Sequence, residues 1–361
     1  MKRYLVLENG QVFEGEDLGA EGEVVAEIVF TTAMTGYLET LTDKSYKGQA
    51  VVQTFPLIGN YGIITPDREG EIPNVSGYIV REACGAPSNF RCEMTLDEYL
   101  KKNNIVGLKG IDTRALTRVL REKGVMNGKI TSKIPEDMDA CLKEIKEYKI
   151  KDPVEEVTVP AAEERTGDEV IYNVAMIDCG IKENIVRCLT QRGCKVTLMP
   201  ASCSAEEILA LKPDGLFISN GPGDPEDNVK TIETLKELQK SDIPTMGICL
   251  GHQLLALAHG FKTTKLKYGH RGANHPVKDL TTGHVYISSQ NHGYAVVADS
   301  IDTDIAEEYF VNVNDGTNEG ILYKDKAVFS VQFHPEACGG PKDTEFLFEN
   351  FIKMMDERRD Q

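Results

Sequence analysis

Residues 244–260 read Pro-Thr-Met-Gly-Ile-Cys-Leu-Gly-His-Gln-Leu-Leu-Ala-Leu-Ala-His-Gly. An apolar run from Pro244 to Ile248 enters the pattern G-x-C-x-G at Gly247 to Gly251, and a helical pattern follows through Leu254, Leu255 and Leu257. That order predicts a strand, a tight turn and a helix. It has the form of a nucleophile elbow with sulfur in place of a hydroxyl. Glycines on both sides permit a strained turn that lifts the nucleophile out of the sheet. A thiol at a helix N-terminus also feels the positive end of the dipole, which favours the thiolate. Cys249 is therefore the candidate nucleophile, whereas the other eight cysteines lack an elbow and read as small buried apolar residues.

Working outward, residues 172–260 alternate apolar runs with helical stretches: YNVAMIDC, KENIVRCLTQRG, CKVTLMP, SAEEILALKP, DGLFISNGPG and NVKTIETLKELQKS precede the elbow. Apolar runs without alternation, separated by helices, are how parallel strands covered on both faces appear in sequence. The C-terminal half is thus expected to be an α/β domain. Ligands of such sheets bind at loops beyond the carboxyl ends of the strands, where ISNGPGD and GICLGHQ fall.

A thiol nucleophile needs a base, and all seven histidines follow residue 251. His334 is the strongest candidate: it ends the strand expected over Val328 to Phe333, with Pro335 stopping further pairing and Glu336 placed to orient the ring. Asn291, His292 and Gly293 read as a polar turn before an apolar run. His252 stays open between packing and function, and His259, His270, His275 and His284 carry no usable pattern. No spacing offers a metal set. The loop Asn220 to Pro225 has two glycines that allow close backbone approach, and its amides with the N–H of Leu250 fit an oxyanion hole.

The 361 residues carry 40 Lys and Arg against 57 Asp and Glu, a net charge of −17 that argues against nucleic acid or anionic membrane as partner. Residues 1–150 hold 19 basic and 23 acidic residues, and residues 151–361 hold 21 and 34. The acidity is therefore C-terminal, as expected of two separate units. Nine scattered cysteines without C-x-x-C suggest neither a disulfide ladder nor zinc, and fit a reducing cytoplasm. The only apolar run before Glu8 is four residues long, too short for a signal-peptide core. Neither a Walker-type nor a Rossmann-type glycine motif is present, so nucleotide chemistry is expected on another polypeptide.

The first 150 residues read as β-rich. Tyr4 to Leu7, an Asn9-Gly10 turn and Gln11 to Phe13 suggest a hairpin, and GQAVVQTFP and SGYIVREAC suggest buried strands. Helices are expected at TLDEYLKKN, with a Thr95/Glu98 capping box, at DTRALTRVLREK after Asp112, and at PEDMDACLKEIKEYK. Residues 151–170, acidic and without apolar periodicity, read as a linker to a domain over residues 171–361.

Four motifs in order, ISNGPGDP (218–225), GICLGHQ (247–253), QNHGYAV (290–296) and FSVQFHPEA (329–337), resemble the class I, or triad, glutamine amidotransferase domain. Residues 31–62 and 107–124 are similar to the small, glutamine-hydrolysing chain family of carbamoyl-phosphate synthetases. The resemblance implies a flavodoxin-like parallel-sheet core with a nucleophile elbow, preceded by a β-rich α+β domain that contacts the large chain. It implies hydrolysis of L-glutamine to glutamate and ammonia through a cysteine γ-glutamyl thioester. Ammonia would pass to the large chain, which uses bicarbonate and ATP to make carbamoyl phosphate for arginine and pyrimidine synthesis. Residue by residue, Cys249 matches the nucleophile, His334 the base and acid, and Glu336 the orienting carboxylate. Glutamine contacts fall on Ser45, Gly221, Gly223, Leu250, Gln253, Asn291, Gly293 and Tyr294, the last standing where a Phe is common. No cofactor or metal is expected on this chain; ATP and Mg belong to the large chain. The alternatives are another class I amidotransferase, disfavoured by the N-terminal domain, and a catalytically silent regulatory partner, disfavoured by the complete triad.

Overall fold

The structure, a computed structural model, describes residues 1–324 and 326–360. It contains two compact units, Met1–Lys151 and Asp152–Gln361.

In the first unit seven strands close into a barrel, in the spatial order Lys2–Leu7, Val12–Gly19, Val106–Lys109, Gly77–Ile79, Gln49–Gln53, Val24–Thr31 and Met126–Thr131. Closure removes the exposed edges an open sheet would leave. The first two strands turn back at Asn9-Gly10, where Gly10 takes φ +85°. Alternation along the strands puts Val29, Val51 and Tyr78 on one face, where they pack with Leu38 and Leu41 of helix Tyr37–Thr42 and Leu96 and Leu100 of helix Leu96–Lys102. The capping box is formed: Thr95 accepts from the Glu98 amide while the Glu98 carboxylate accepts from Thr95. Asp112 caps Thr113–Lys123 through the Ala115 amide at 2.9 Å.

The second unit is built on one ten-stranded sheet. Five strands run parallel in the order Cys194–Pro200, Tyr172–Asp178, Gly215–Ile218, Thr245–Ile248, Val328–Val331. Counted along the chain this is 2-1-3-4-5, the flavodoxin-like order. Both faces are covered, which is why these strands lack polar alternation. Val174, Met176, Phe217 and Met246 pack with Phe348, Phe351 and Met355 of helix Phe346–Arg359. Ala175, Ile177, Leu216 and Ile218 pack with Leu235, Leu250 and Leu254 on the other side.

Two sequence expectations are corrected here. Residues 151–170 do not hang between the units: Pro153–Val157 is a short helix with Val154 and Val157 buried, and Glu163–Arg165 adds an antiparallel edge strand beside Cys194–Pro200. Three residues on a sheet edge need no apolar period, so the pattern was invisible. Asn291, His292 and Gly293 are not a turn. They lie inside strand Val285–Val296, where Asn291 pairs with Arg271 and His292 with His270. Between the fourth and fifth parallel strands the chain makes four antiparallel strands, Thr263–Asp279, Val285–Val296, Ala306–Asn312 and Asn318–Tyr323, which extend the same sheet.

Candidate active site

Cys249 stands between strand Thr245–Ile248 and helix Leu250–Ala258 with φ 54° and ψ −104°. That region of backbone space is costly for any residue with a Cβ and persists where the surroundings force it. The forcing contacts are visible. The Cys249 amide donates to the Val331 carbonyl at 2.9 Å, carrying the sheet register up to the candidate nucleophile. A Cβ at Gly251 would overlap the Ile218 carbonyl oxygen, and one at Gly247 would lie 2.8 Å from the Gly251 oxygen. Only glycines let strand and helix approach this closely.

The partners arrive from the carboxyl ends of neighbouring parallel strands. His334 follows Val328–Val331, its amide held by the Ser289 carbonyl at 2.9 Å. Its Nδ1 donates to Glu336 Oε1 at 2.6 Å, which leaves Nε2 buried and without a hydrogen bond. The Cys249 thiol points at the Asn291 carbonyl, 3.6 Å away. Burial alone would depress the His334 pKa, and so would Lys182, but Glu336 and Cys249 outweigh both and raise it to about 9. For Glu336, burial pushes upward and loses to His334 and Lys182, leaving the carboxyl at about 2. At neutral pH the pair is therefore an ionised carboxylate beside a ring that readily holds a second proton.

Lys182 escaped sequence reasoning. It follows strand Tyr172–Asp178, and its Nζ lies 3.4 Å from Glu336 Oε1. Asn184 donates to the Glu336 carbonyl, and Asn220 accepts from the Lys182 amide at 3.1 Å while donating to the Gly180 carbonyl at 3.0 Å. These bonds tie the loop after the first parallel strand to Glu336 and to the glycine loop after the third. A lone lysine in GIKEN carries no motif, so no sequence signal marked it.

Among the residues assigned to glutamine, Leu250 is the first residue of the elbow helix, and Gly221 packs so closely on its side chain that a Cβ there would lie 2.8 Å from Leu250 Cδ2. Gly223 adopts φ +90° against Pro153. Gln253 donates to the Tyr294 carbonyl at 2.8 Å and to Gln332 Oε1 at 2.9 Å, fixing the helix to the strand that carries Asn291 and Gly293. Ser45 belongs to the other unit, buried in the short helical turn Lys44–Tyr46 with its amide on Asp43. His252 is structural: it is wholly buried with Nδ1 2.8 Å from Ser330 Oγ, and burial lowers its pKa to about 3. A strained thiol, an imidazole with one open nitrogen and a fixed carboxylate are the equipment of acyl transfer through a thioester.

Comparison with known proteins gives the same two-part division. Residues 5–130 match the family model of the carbamoyl-phosphate synthase small chain, CPSase domain, and residues 175–354 match that of glutamine amidotransferase class-I. The chain is 50% identical over 353 residues to the carbamoyl phosphate synthase small chain of Clostridium perfringens, covering 98% of this chain and 99% of that one. It is 50% identical over 356 residues to the Fusobacterium nucleatum small chain, covering 98% of each. To the carbamoyl phosphate synthase pyrimidine-specific small chain of Bacillus subtilis it is 49% identical over 357 residues, covering 99% and 96%. With both models matched in order and half the residues shared along almost the whole length, this chain belongs to the carbamoyl phosphate synthase small chain family.

Proposed function

We propose that the chain is the glutaminase subunit of a carbamoyl phosphate synthase. The observation that carries this reading is the strained Cys249 interacting with His334, itself buried and hydrogen-bonded to Glu336. Cys249 sulfur attacks the glutamine carboxamide carbon with its proton already held on His334 Nε2. The C–N bond then breaks, His334 returns the proton to the departing nitrogen, and ammonia leaves behind a γ-glutamyl thioester. Water, deprotonated by the same nitrogen, releases glutamate and the thiol. Glu336 orients the ring and stabilises the imidazolium, and Lys182 keeps Glu336 ionised. Backbone amides of Leu250 and of the Gly221–Gly223 loop supply the oxyanion hole. Gln253, Asn291, Gly293 and Tyr294 complete the contacts to glutamine on this unit.

Ammonia is consumed by a large-chain partner in the cytoplasm, and the ATP- and magnesium-dependent steps are assigned to that partner. Among the described residues no helix is long and apolar enough to cross a membrane. The test is glutamine hydrolysis by the purified chain alone and with its large chain. Turnover is expected to be modest alone, to rise on assembly, and to vanish in Cys249→Ala under both conditions. Undiminished hydrolysis by Cys249→Ala would remove the assigned nucleophile.

A further inference from the structure

Strand Val285–Val296 serves the nucleophile through the carbonyl of Asn291, but His292, next along it, belongs to a second buried cluster. His270, Gln290, His292 and Glu319 meet there from three strands, and none is more than 7% exposed. The His292 Nδ1 lies 2.7 Å from the Tyr294 carbonyl, which can only accept, so Nδ1 carries the proton and Nε2 presents a lone pair. The His270 Nε2 donates to Asp315 Oδ2 at 2.8 Å, so in the neutral ring Nδ1 is a second lone pair.

These two lone pairs point into a group of acceptors. Gln290 Oε1 lies 2.8 Å from His292 Nε2 and 3.1 Å from His270 Nδ1. Glu319 Oε1 lies 3.3 Å from His270 Nδ1, and Glu319 Oε2 is buried without a partner. Turning the Gln290 amide over would satisfy both rings. It would also set the amide oxygen 3.2 Å from Ser288 Oγ, whose proton goes to the His275 carbonyl, and would leave Glu319 facing a lone pair. A second proton on His270 would answer Glu319 Oε1 but not the contact between His292 Nε2 and Gln290 Oε1, nor the orphaned Glu319 Oε2. Both changes together would still leave Glu319 Oε2 buried without a partner, whereas a cation among the acceptors answers that oxygen as well as the two rings.

We propose that His270 Nδ1, His292 Nε2 and the Glu319 carboxylate, with the Gln290 carbonyl oxygen as fourth donor, hold a divalent metal ion of the zinc class. The histidine and carboxylate ligand atoms lie within 4.8 Å of one another, and binding would draw them in to the spacing of about 3.4 Å that a tetrahedral set at zinc bond lengths requires. Two histidines, one carboxylate and a neutral oxygen suit a borderline ion better than calcium or magnesium. The outer contacts are those of a metal site: each ring gives its other N–H to an acceptor, Asp315 or the Tyr294 carbonyl, and Asn312 donates to Glu319 Oε1 at 2.9 Å. With four protein donors, none more than 7% exposed, the ion is structural and clamps the strand that carries Asn291, Gly293 and Tyr294. Spacing along the chain hid the set, because only the register between His270 and His292 brings the two rings together.

The test uses the full chain, loaded with zinc chloride and passed through gel filtration before elemental analysis. About one equivalent of zinc is expected to stay bound and to raise the melting temperature. Glu319→Gln, which keeps the side-chain shape, and His270→Asn should each lose the metal, whereas Cys249→Ser should retain it, separating this cluster from the active-site thiol. Titration of the unaltered chain with cobalt chloride, independent of any variant's folding, should produce visible absorption without a thiolate charge-transfer band. Failure of the unaltered chain to hold zinc together with a colourless cobalt titration would overturn the proposal. So would zinc that is lost in Cys249→Ser and kept in Glu319→Gln.

Discussion

Cys249 is held at φ 54° and ψ −104°, a conformation that costs of the order of 1–3 kcal/mol for a residue with a Cβ. Glycine escapes that cost and alanine does not, although both remove the sulfur. Cys249→Gly is therefore expected to outlast Cys249→Ala in urea by about 1 kcal/mol, net of glycine's larger unfolded-state entropy. Equal midpoints would mean that the turn is relaxed. The triad's charges give a second residue-scale expectation. In the proposed mechanism His334 holds a proton to release ammonia, so hydrolysis should fall with an alkaline limb near its raised pKa of about 9. Removing Glu336 leaves burial and Lys182, which both push downward, opposed by Cys249 alone. In Glu336→Gln the limb should therefore move toward acid by roughly one pH unit or more, read from the pH profile of the residual activity. Linkage gives the sign for stability. The His334 contribution is present below about 6.5 and is lost as pH rises through about 9. The Glu336 contribution is present above 4.5 and is lost as pH falls through about 2. The advantage of the unaltered chain over Glu336→Gln in urea should shrink between pH 6.5 and 9.

At the scale of elements, the elbow is a strand and a helix pressed together through Gly247 and Gly251. Adding a methyl group at Gly251 drives it into the Ile218 carbonyl of the adjacent strand, backbone that cannot step aside. Gly251→Ala should lower stability by about 2 kcal/mol or more, measured by thermal melting, and should reduce hydrolysis by moving Cys249. A melting temperature within a degree of the unaltered chain would show that the helix can retreat. The same crowding explains why this element was legible from sequence: a nonperiodic apolar run, two glycines around one cysteine and a helical leucine pattern have few other solutions. The strand carrying Asn291 was not legible, because Asn-His-Gly has turn composition and only pairing with His270 and Arg271 extends it. Lys182 and the Glu163–Arg165 edge strand stayed hidden for a related reason: their partners Glu336 and Cys194–Pro200 are distant in sequence, and neither stretch has a local period.

At the scale of the whole molecule, a seven-stranded barrel precedes a flavodoxin-like sheet, and the sheet places Cys249, His334 and Lys182 at the ends of three parallel strands. The α/β half could be read from sequence because strands buried on both faces announce themselves as apolar runs. Barrel closure could not, since short half-buried strands show their alternation but not which edges meet. The chemistry proposed for this architecture rests on one sulfur served by one imidazole. The most direct measurement is labelling of the intact chain with an electrophilic glutamine analogue, followed by peptide mapping. One label per chain on Cys249 is predicted, with protection by glutamine and labelling in His334→Asn slowed by about 100-fold or more. Modification of a different cysteine, or no capture even with the large chain present, would contradict it.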